Sequence, residues 1–146
     1  MSGQACPMPT PPSEDENATI ERILERTHRI AVVGASDDDV KPGNFVPAYM
    51  MSQGYEVIGV NPNHDEVFGK TCYPSLQAVP GKIDLVNVFR RPLACAEVTK
   101  QAIAIGAKGV WLQSGITNPE AKRIAAEAGI DYIENRCLMV EHRRRK

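Results

Sequence analysis

Five short segments of the sequence combine glycine, asparagine, arginine and serine, residue types that hold phosphate and ribose groups. Each follows a short apolar run; the segments are residues 34–44, 61–64, 89–92, 113–117 and 134–137. Backbone N–H groups beside glycine and guanidinium groups both donate hydrogen bonds to phosphate oxygens. These segments therefore favour binding of an anionic, nucleotide-like ligand.

The first segment has the features of an anion-binding turn that leads into a helix. Gly34 allows close backbone approach, Ser36 supplies a hydroxyl donor, and Lys41-Pro42-Gly43 precedes a predicted helix. The free N–H groups and partial positive charge of a helix N-terminus favour a bound anion. We therefore expect ligand contact in this turn.

Two familiar nucleotide-binding motifs are missing from these segments. After Gly34 the next glycine is Gly43, too distant for the G-x-G-x-x-G turn of NAD and FAD enzymes. The second predicted strand ends in Asn61-Pro62 rather than in the acidic residue that binds an adenosine ribose. The G-x-x-x-x-G-K-[ST] pattern of P-loop ATPases is also missing. NAD, FAD and ordinary ATP hydrolysis are thus disfavoured.

The elements that must position these segments alternate along the chain. Short apolar runs predict strands at residues 29–34, 56–61, 83–89, 109–113 and 130–133. Helical segments are predicted at residues 18–27, 44–53, 92–105 and 118–128, with one helical turn at 76–79. This alternation predicts an α/β fold, doubly wound, with a five-stranded and mainly parallel sheet. Ligands bind at the carboxyl ends of such strands, where all five segments fall.

Composition and charge indicate one globular domain and exclude several classes of function. The 146 residues have a net charge of −1 and 42% hydrophobic residues, which does not suit a general nucleic-acid binder or a disordered chain. No apolar run approaches the roughly 18 residues of a membrane span. Proline-rich residues 1–17 are expected to be a disordered lead-in to one domain over residues 18–146. The basic residues near the C-terminus are typical of a solvated end.

Cysteine and histidine spacing excludes the common metal and redox motifs. The four cysteines, at positions 6, 72, 95 and 137, form no C-x-x-C pair, and the three histidines show no ligand spacing. The N-terminus lacks a basic and then apolar stretch, so we expect no signal peptide. Reduced thiols are typical of the cytoplasm, where we expect this protein. We expect no bound metal and no association with a membrane.

Six motifs occur in order along the chain and together indicate a family. They are Gly34-Ala-Ser36; Val60-Asn-Pro62; Gly69-Lys70 with Tyr73-Pro-Ser-Leu76; Val88-Phe-Arg-Arg-Pro92; Trp111-Leu-Gln113 with Gly115; and Asn135-Arg-Cys137. Over residues 20–142 the chain resembles the small stand-alone CoA-binding domain family, whose fold is similar to the N-terminal domain of the succinyl-CoA synthetase alpha subunit. The resemblance implies a Rossmann-like domain that binds coenzyme A, and it does not imply catalysis.

The resemblance also implies ligand-contacting residues in each segment. The turn and helix start that face phosphate are Gly34, Ala35, Ser36, Lys41, Pro42 and Gly43. Residues near the nucleotide are Asn61, Pro62 and Lys70, and those flanking the adenine and ribose phosphate are Phe89, Arg90 and Arg91. Residues near the pantetheine arm are Gln113, Ser114 and Gly115, and those at the end of the fifth strand are Asn135, Arg136 and Cys137. Asp37, Asp38 and Asp39 depart from the pattern and must point to solvent beside a polyanion.

Three functions remain open at this stage. The leading hypothesis is non-catalytic binding of coenzyme A or an acyl-CoA, in which Cys137 either forms a mixed disulfide with the thiol of CoA or only packs. The second is an alpha-type subunit of a nucleoside-diphosphate-forming acyl-CoA synthetase, which would need a partner chain. The third is a nucleotide-sensing regulator. We expect a small-molecule ligand in each case, and a protein partner stays open.

Overall fold

The structure, a computed structural model, describes residues 11–146. Its strands are β1 (Arg29–Val33), β2 (Glu56–Val60), β3 (Glu66–Val67), β4 (Lys70–Thr71), β5 (Leu85–Val88), β6 (Gly109–Leu112) and β7 (Asp131–Ile133). The helices are α1 (Glu14–Arg26), α2 (Pro42–Ser52), α3 (Cys95–Ala104), α4 (Pro119–Ala128) and α5 (Leu138–Arg144). Short 3-10 turns lie at Leu76–Ala78 and Pro92–Ala94.

The central sheet confirms the five predicted strands. Its order is β2-β1-β5-β6-β7, and every neighbouring pair is parallel. The apolar runs that predict these strands are almost wholly buried, as expected where helices cover both faces of a sheet. After β1 the chain passes to β2, which lies on the side of β1 away from β5. After β5 it passes to β6, which lies on the side of β5 away from β1. The switch point of this Rossmann-like fold therefore lies between β1 and β5.

Helices cover the two faces of the sheet and form two cores. One core joins the sheet to α3 and α4, through residues such as Val98, Ala102 and Ala121. The other joins it to α1, α2 and α5, through residues such as Ile20 and Leu138. Trp111 is fully buried in the second core. Across residues 11–146 no helix is long and apolar enough to cross a membrane.

The first helix begins earlier than the sequence pattern suggests. Residues 14–17, assigned to a disordered lead-in, form the first turn of α1, and residues 1–10 with Cys6 lie outside the described residues. Ser13 Oγ accepts a hydrogen bond from Glu16 N at 3.1 Å, and Glu16 Oε1 accepts one from Ser13 N at 3.1 Å. This capping box satisfies N–H groups that the helix leaves free, so the polar residues after Pro12 start a helix.

Helix α5 and the hairpin β3–β4 are absent from the predicted elements. Of the C-terminal basic residues, Arg143, Arg144 and Lys146 are exposed, as expected of a solvated end. Arg145 is half-buried, with Nη1 3.0 Å from Glu141 Oε1, and Arg144 Nη1 lies 3.8 Å from Glu141 Oε2. Glu141 is fully buried and also pairs with Arg136, whose Nε lies 3.1 Å from Glu16 Oε2. The hydrogen bond from Arg136 lowers the pKa of Glu16 and outweighs the opposing effect of burial. These ion pairs join α1 to α5.

Glu141→Gln should destabilise the fold by about 3 kcal/mol, because removing one partner of a buried ion pair leaves the other charge without its counterion. Glu127→Gln is the matched control, since Glu127 pairs with Arg123 on the exposed face of α4 and should cost less than about 1 kcal/mol. Urea unfolding of both variants measures the difference. Equal losses would show that the buried carboxylate contributes nothing beyond a surface pair.

Candidate functional site

One cavity of about 820 Å³ opens at the carboxyl ends of the strands, beside the switch point between β1 and β5. Thirteen of the residues predicted from the sequence line it: Gly34, Ala35, Ser36, Lys41, Pro42, Gly43, Asn61, Phe89, Arg90, Arg91, Gln113, Ser114 and Cys137. They come from the loops after β1, β2, β5, β6 and β7. The structure therefore brings all five predicted segments to one cavity.

Close backbone contact between the first and third of these loops shapes the cavity floor. Gly34 has φ +89°, and a Cβ at this position would lie 2.5 Å from the carbonyl oxygen of Phe89. A Cβ on Gly43 would lie 2.9 Å from the carbonyl oxygen of Gly34. Both contacts are shorter than any ordinary carbon–oxygen approach, so only glycine fits at either position without movement of the backbone.

Side-chain amides hold the turn after β1 in place. Asn61 Nδ2 donates to the carbonyl of Ala35 at 2.9 Å, and Asn44 Nδ2 donates to that of Ser36 at 2.8 Å. Within the described residues, the N–H groups of Ala35 and Gly43 have no acceptor. The second of these groups belongs to the first turn of α2, where the helix dipole favours an anion. The turn thus offers two fixed donors.

Three cations stand around this turn. Lys41, Arg90 and Arg91 are exposed residues of the cavity wall and form no ion pair with any residue from 11 to 146. The nearby acids Asp37, Asp38 and Asp39 do not line the cavity and are exposed, as predicted. The site therefore keeps a positive charge at the turn, which suits a ligand that bears several phosphates.

Buried hydrogen bonds position the opposite wall, which the loop after β7 forms. Trp111 Nε1 donates to the carbonyl of Arg136 at 2.7 Å, and the N–H of Leu138 donates to Gln113 Oε1 at 3.3 Å. Both bonds join this loop to β6 or to the residue after it. They place Cys137, the N-terminal cap of α5, in the cavity wall.

Five predicted contact residues do not line the cavity. Lys70 lies on β4 and donates from Nζ to the carbonyl of Val57 at 3.0 Å. Arg136 is buried and pairs with Glu16 and Glu141. Asn135 Oδ1 accepts from the N–H of Gly115 at 2.7 Å, so these two residues fasten the loops to each other, and Pro62 is exposed beside the turn.

Seven residues of the wall are not among the predicted contact residues: Phe45, Val46, His64, Pro92, Ile116, Met139 and Val140. Three of them, His64, Pro92 and Ile116, lie within the predicted segments, and His64 is half-buried, with Nδ1 at 3.9 Å from Asp37 Oδ2. Most of the others are apolar and lie on the first turns of α2 and α5. For α2, the apolar residues Phe45 and Val46 at the start of the predicted helix were the sequence signal that could have indicated this part of the wall. Over residues 11–146 no group of His, Cys, Asp and Glu side chains fits a metal ion.

A family model described as "CoA binding domain" matches residues 28–143, most of the chain. The chain belongs to the CoA binding domain family. Its membership confirms the resemblance inferred from the six motifs, and the match covers every element that lines the cavity. The described cavity therefore lies within the CoA binding domain itself.

Other members of the CoA binding domain family, and larger proteins that contain such a domain, are similar to this chain. The uncharacterized protein YneT of Bacillus subtilis is 40% identical over 86% of this chain and 93% of its own length. A solved structure of a hypothetical protein from Pyrococcus horikoshii has a TM-score of 0.86 and 42% identity over 94% of this chain and 98% of that chain. The alpha subunit of ADP-forming acetate–CoA ligase II from Pyrococcus furiosus is 32% identical, over 75% of this chain and 26% of its own length.

Gly34→Ala should destabilise the CoA binding domain by about 1–3 kcal/mol more than Gly54→Ala, because the new methyl group overpacks against Phe89. Gly54 is the matched control: its φ is +99°, so alanine is strained there too, but nothing lies within 4 Å of the added Cβ. Urea unfolding of the two variants isolates the cost of the contact. Equal losses would mean that the two loops separate without cost.

Proposed function

We propose that this chain binds coenzyme A, free or acylated, in the cavity at the switch point and catalyses no reaction by itself. The observation that supports this most strongly is the set of Lys41, Arg90 and Arg91, three cations around one cavity that form no ion pair within residues 11–146. Coenzyme A carries a diphosphate and a ribose phosphate, and a protein that exposes unpaired cations around a turn with free N–H groups suits that charge.

Each part of the ligand has a corresponding part of the wall. The diphosphate fits beside the turn of Ala35 and Gly43, whose N–H groups have no acceptor among residues 11–146. The adenine and ribose phosphate fit beside Phe89, Arg90 and Arg91, because guanidinium groups both stack on rings and bind phosphate. The pantetheine arm then extends along Gln113 and Ser114 towards α5.

Two further features of the leading hypothesis stay as proposals. Cys72, Cys95 and Cys137 are free thiols, which supports the cytoplasm as the location.

Cys137 lies in the cavity wall, where the thiol end of the ligand would reach. Its thiolate can therefore attack the disulfide of oxidised CoA, which forms a protein–CoA disulfide and releases one CoA thiolate. Intact mass after exposure to oxidised CoA tests this step, and an adduct that persists in Cys137→Ser would contradict it.

An alpha-type subunit role is the second candidate, and similarity to the acetate–CoA ligase alpha subunit favours it. The match covers about a quarter of that subunit's length, and in this candidate role a partner chain supplies the rest of the ligase. Co-purification from the source organism distinguishes the two. A stoichiometric partner that confers acyl- and ATP-dependent turnover would support the subunit role, whereas full CoA binding without such a partner supports the leading proposal.

Thermal unfolding with CoA, acetyl-CoA, NAD and ATP in parallel tests the proposed ligand. CoA compounds should stabilise the protein by about 2.7 kcal/mol at a hundredfold excess over the dissociation constant. Stabilisation by NAD with none by CoA would contradict the proposal.

Replacing both Arg90 and Arg91 by alanine should weaken CoA binding about ten- to a hundredfold, since each loses a charged hydrogen bond to phosphate. Dephospho-CoA, which lacks the ribose phosphate, should be affected less. Arg123→Ala is the control, because Arg123 pairs with Glu120 and Glu127 on α4, outside the cavity lining. Calorimetric titration of both ligands gives the comparison. Equal loss for the two ligands would refute the assignment to the ribose phosphate.

A further inference from the structure

The cavity has a second, chemically different part at its α2–α5 end. Phe45, Val46, Met139 and Val140 line it there, and we call these four residues the apolar wall. Tyr49 on α2 and His142 on α5 are in contact, with Tyr49 Oη 2.9 Å from His142 Nδ1. Phe45 and Val46 lie three or four residues before Tyr49 on α2, and Met139 lies three residues before His142 on α5, so these three side chains lie about one turn before the contact between the helices. Val140, the neighbour of Met139, lines the same cavity, so both helices contribute to the apolar wall.

A polar side chain of the cavity wall, Gln113, is held against Leu138, the residue that precedes Met139 and Val140 on α5. Gln113 Oε1 accepts hydrogen bonds from the N–H of Leu138 at 3.3 Å and from Asn87 Nδ2 at 3.4 Å. Asn87 is fully buried and also donates to the carbonyl of Trp111 at 3.3 Å, so both amides have a fixed orientation. Asn87 is therefore a positioning residue for Gln113.

The fixed orientation leaves Gln113 Nε2 as a donor in the cavity wall. Nε2 forms no hydrogen bond with any residue from 11 to 146, and it is not among the enclosed side-chain atoms that lack a partner. Gln113 itself lines the cavity next to Cys137. An accessible N–H donor beside an apolar surface suits a carbonyl group that is attached to a hydrocarbon.

We infer that the apolar wall is a subsite for a short aliphatic acyl group, so that the ligand is an acyl-CoA in preference to free CoA. The thioester carbonyl accepts from Gln113 Nε2 and the hydrocarbon chain contacts Phe45, Met139 and Val140. This inference rests on the proposed function and names its substrate class.

Other parts of coenzyme A suit the apolar wall less well. The pantetheine arm contains two amides, and burial of amides against side chains that offer no hydrogen bond is unfavourable. The adenine is assigned to Phe89 and the arginines after β5, on the side of the turn. A hydrocarbon on the sulfur is what remains to cover the apolar wall, and its burial is favourable in proportion to its area.

Calorimetric titration with CoA, acetyl-CoA, propionyl-CoA and butyryl-CoA tests the subsite on the unmodified protein. Each methylene that becomes buried should strengthen binding about fourfold until the apolar wall is covered. Equal affinity for all four compounds would overturn the subsite while leaving CoA binding intact. Failure of all four to bind would instead overturn the proposed function.

Val140→Thr replaces a methyl group by a hydroxyl of similar size and should reduce the gain per methylene. Val40→Thr is the matched control, because Val40 is 76% exposed and does not line the cavity, so its gain per methylene should equal that of the unmodified protein. A gain per methylene that is unchanged in Val140→Thr would contradict contact with the acyl chain.

Gln113→Glu keeps an oxygen for Leu138 and Asn87 and replaces the donor Nε2 by a charged carboxylate oxygen that can only accept. The unmodified protein should bind propionyl-CoA about tenfold more tightly than S-propyl-CoA, a thioether without the carbonyl, because one good hydrogen bond is worth about a factor of ten. The ratio should fall to about one in Gln113→Glu. A ratio of one in the unmodified protein would contradict the assignment of the carbonyl to Gln113.

Discussion

The close contact between the loop after β1 and the chain after β5 is the constraint on which the site depends. Neighbouring parallel strands place these loops side by side, and Gly34 lets the backbone pass where any Cβ would meet the carbonyl of Phe89. Gly43 then brings the start of α2 against the same turn. This approach places the turn and the residues Arg90 and Arg91 in the wall of one cavity, so the two glycines determine the shape of the cavity at this end.

Buried hydrogen bonds and ion pairs hold the opposite wall in place. Trp111, Asn87 and Gln113 hold the loop after β7 by buried hydrogen bonds, and the ion pairs of Arg136 with Glu16 and Glu141 join that loop to α1 and α5. Buried polar networks are specific because each unpaired member is costly. The wall that offers Cys137 and the apolar side chains is thus built from α5, a helix only seven residues long.

The sheet and the five loops could be predicted because buried parallel strands form short apolar runs, two of which end at Gly34 and Asn61. Whether an individual charged residue lines the cavity or forms an ion pair could not be predicted. Arg90 and Arg136 both follow strands, yet Arg90 remains exposed in the cavity wall and Arg136 pairs with Glu16, which lies 120 residues away in sequence. Lys70 was misplaced for a related reason, since a hairpin of two-residue strands leaves almost no periodicity. An ion pair between residues distant in sequence leaves no local sequence pattern, and neither does a strand of two residues.

The central claim is that a CoA compound occupies the cavity between the turn after β1 and α5. Amide chemical shifts of isotope-labelled protein during titration with CoA test it most directly. The account predicts saturable shifts at Ala35, Gly43, Arg90 and Ser114, with none at Gly54 and Glu56, which line a separate polar hollow beside His142. Shifts confined to that hollow, or no saturable shifts at all, would contradict it.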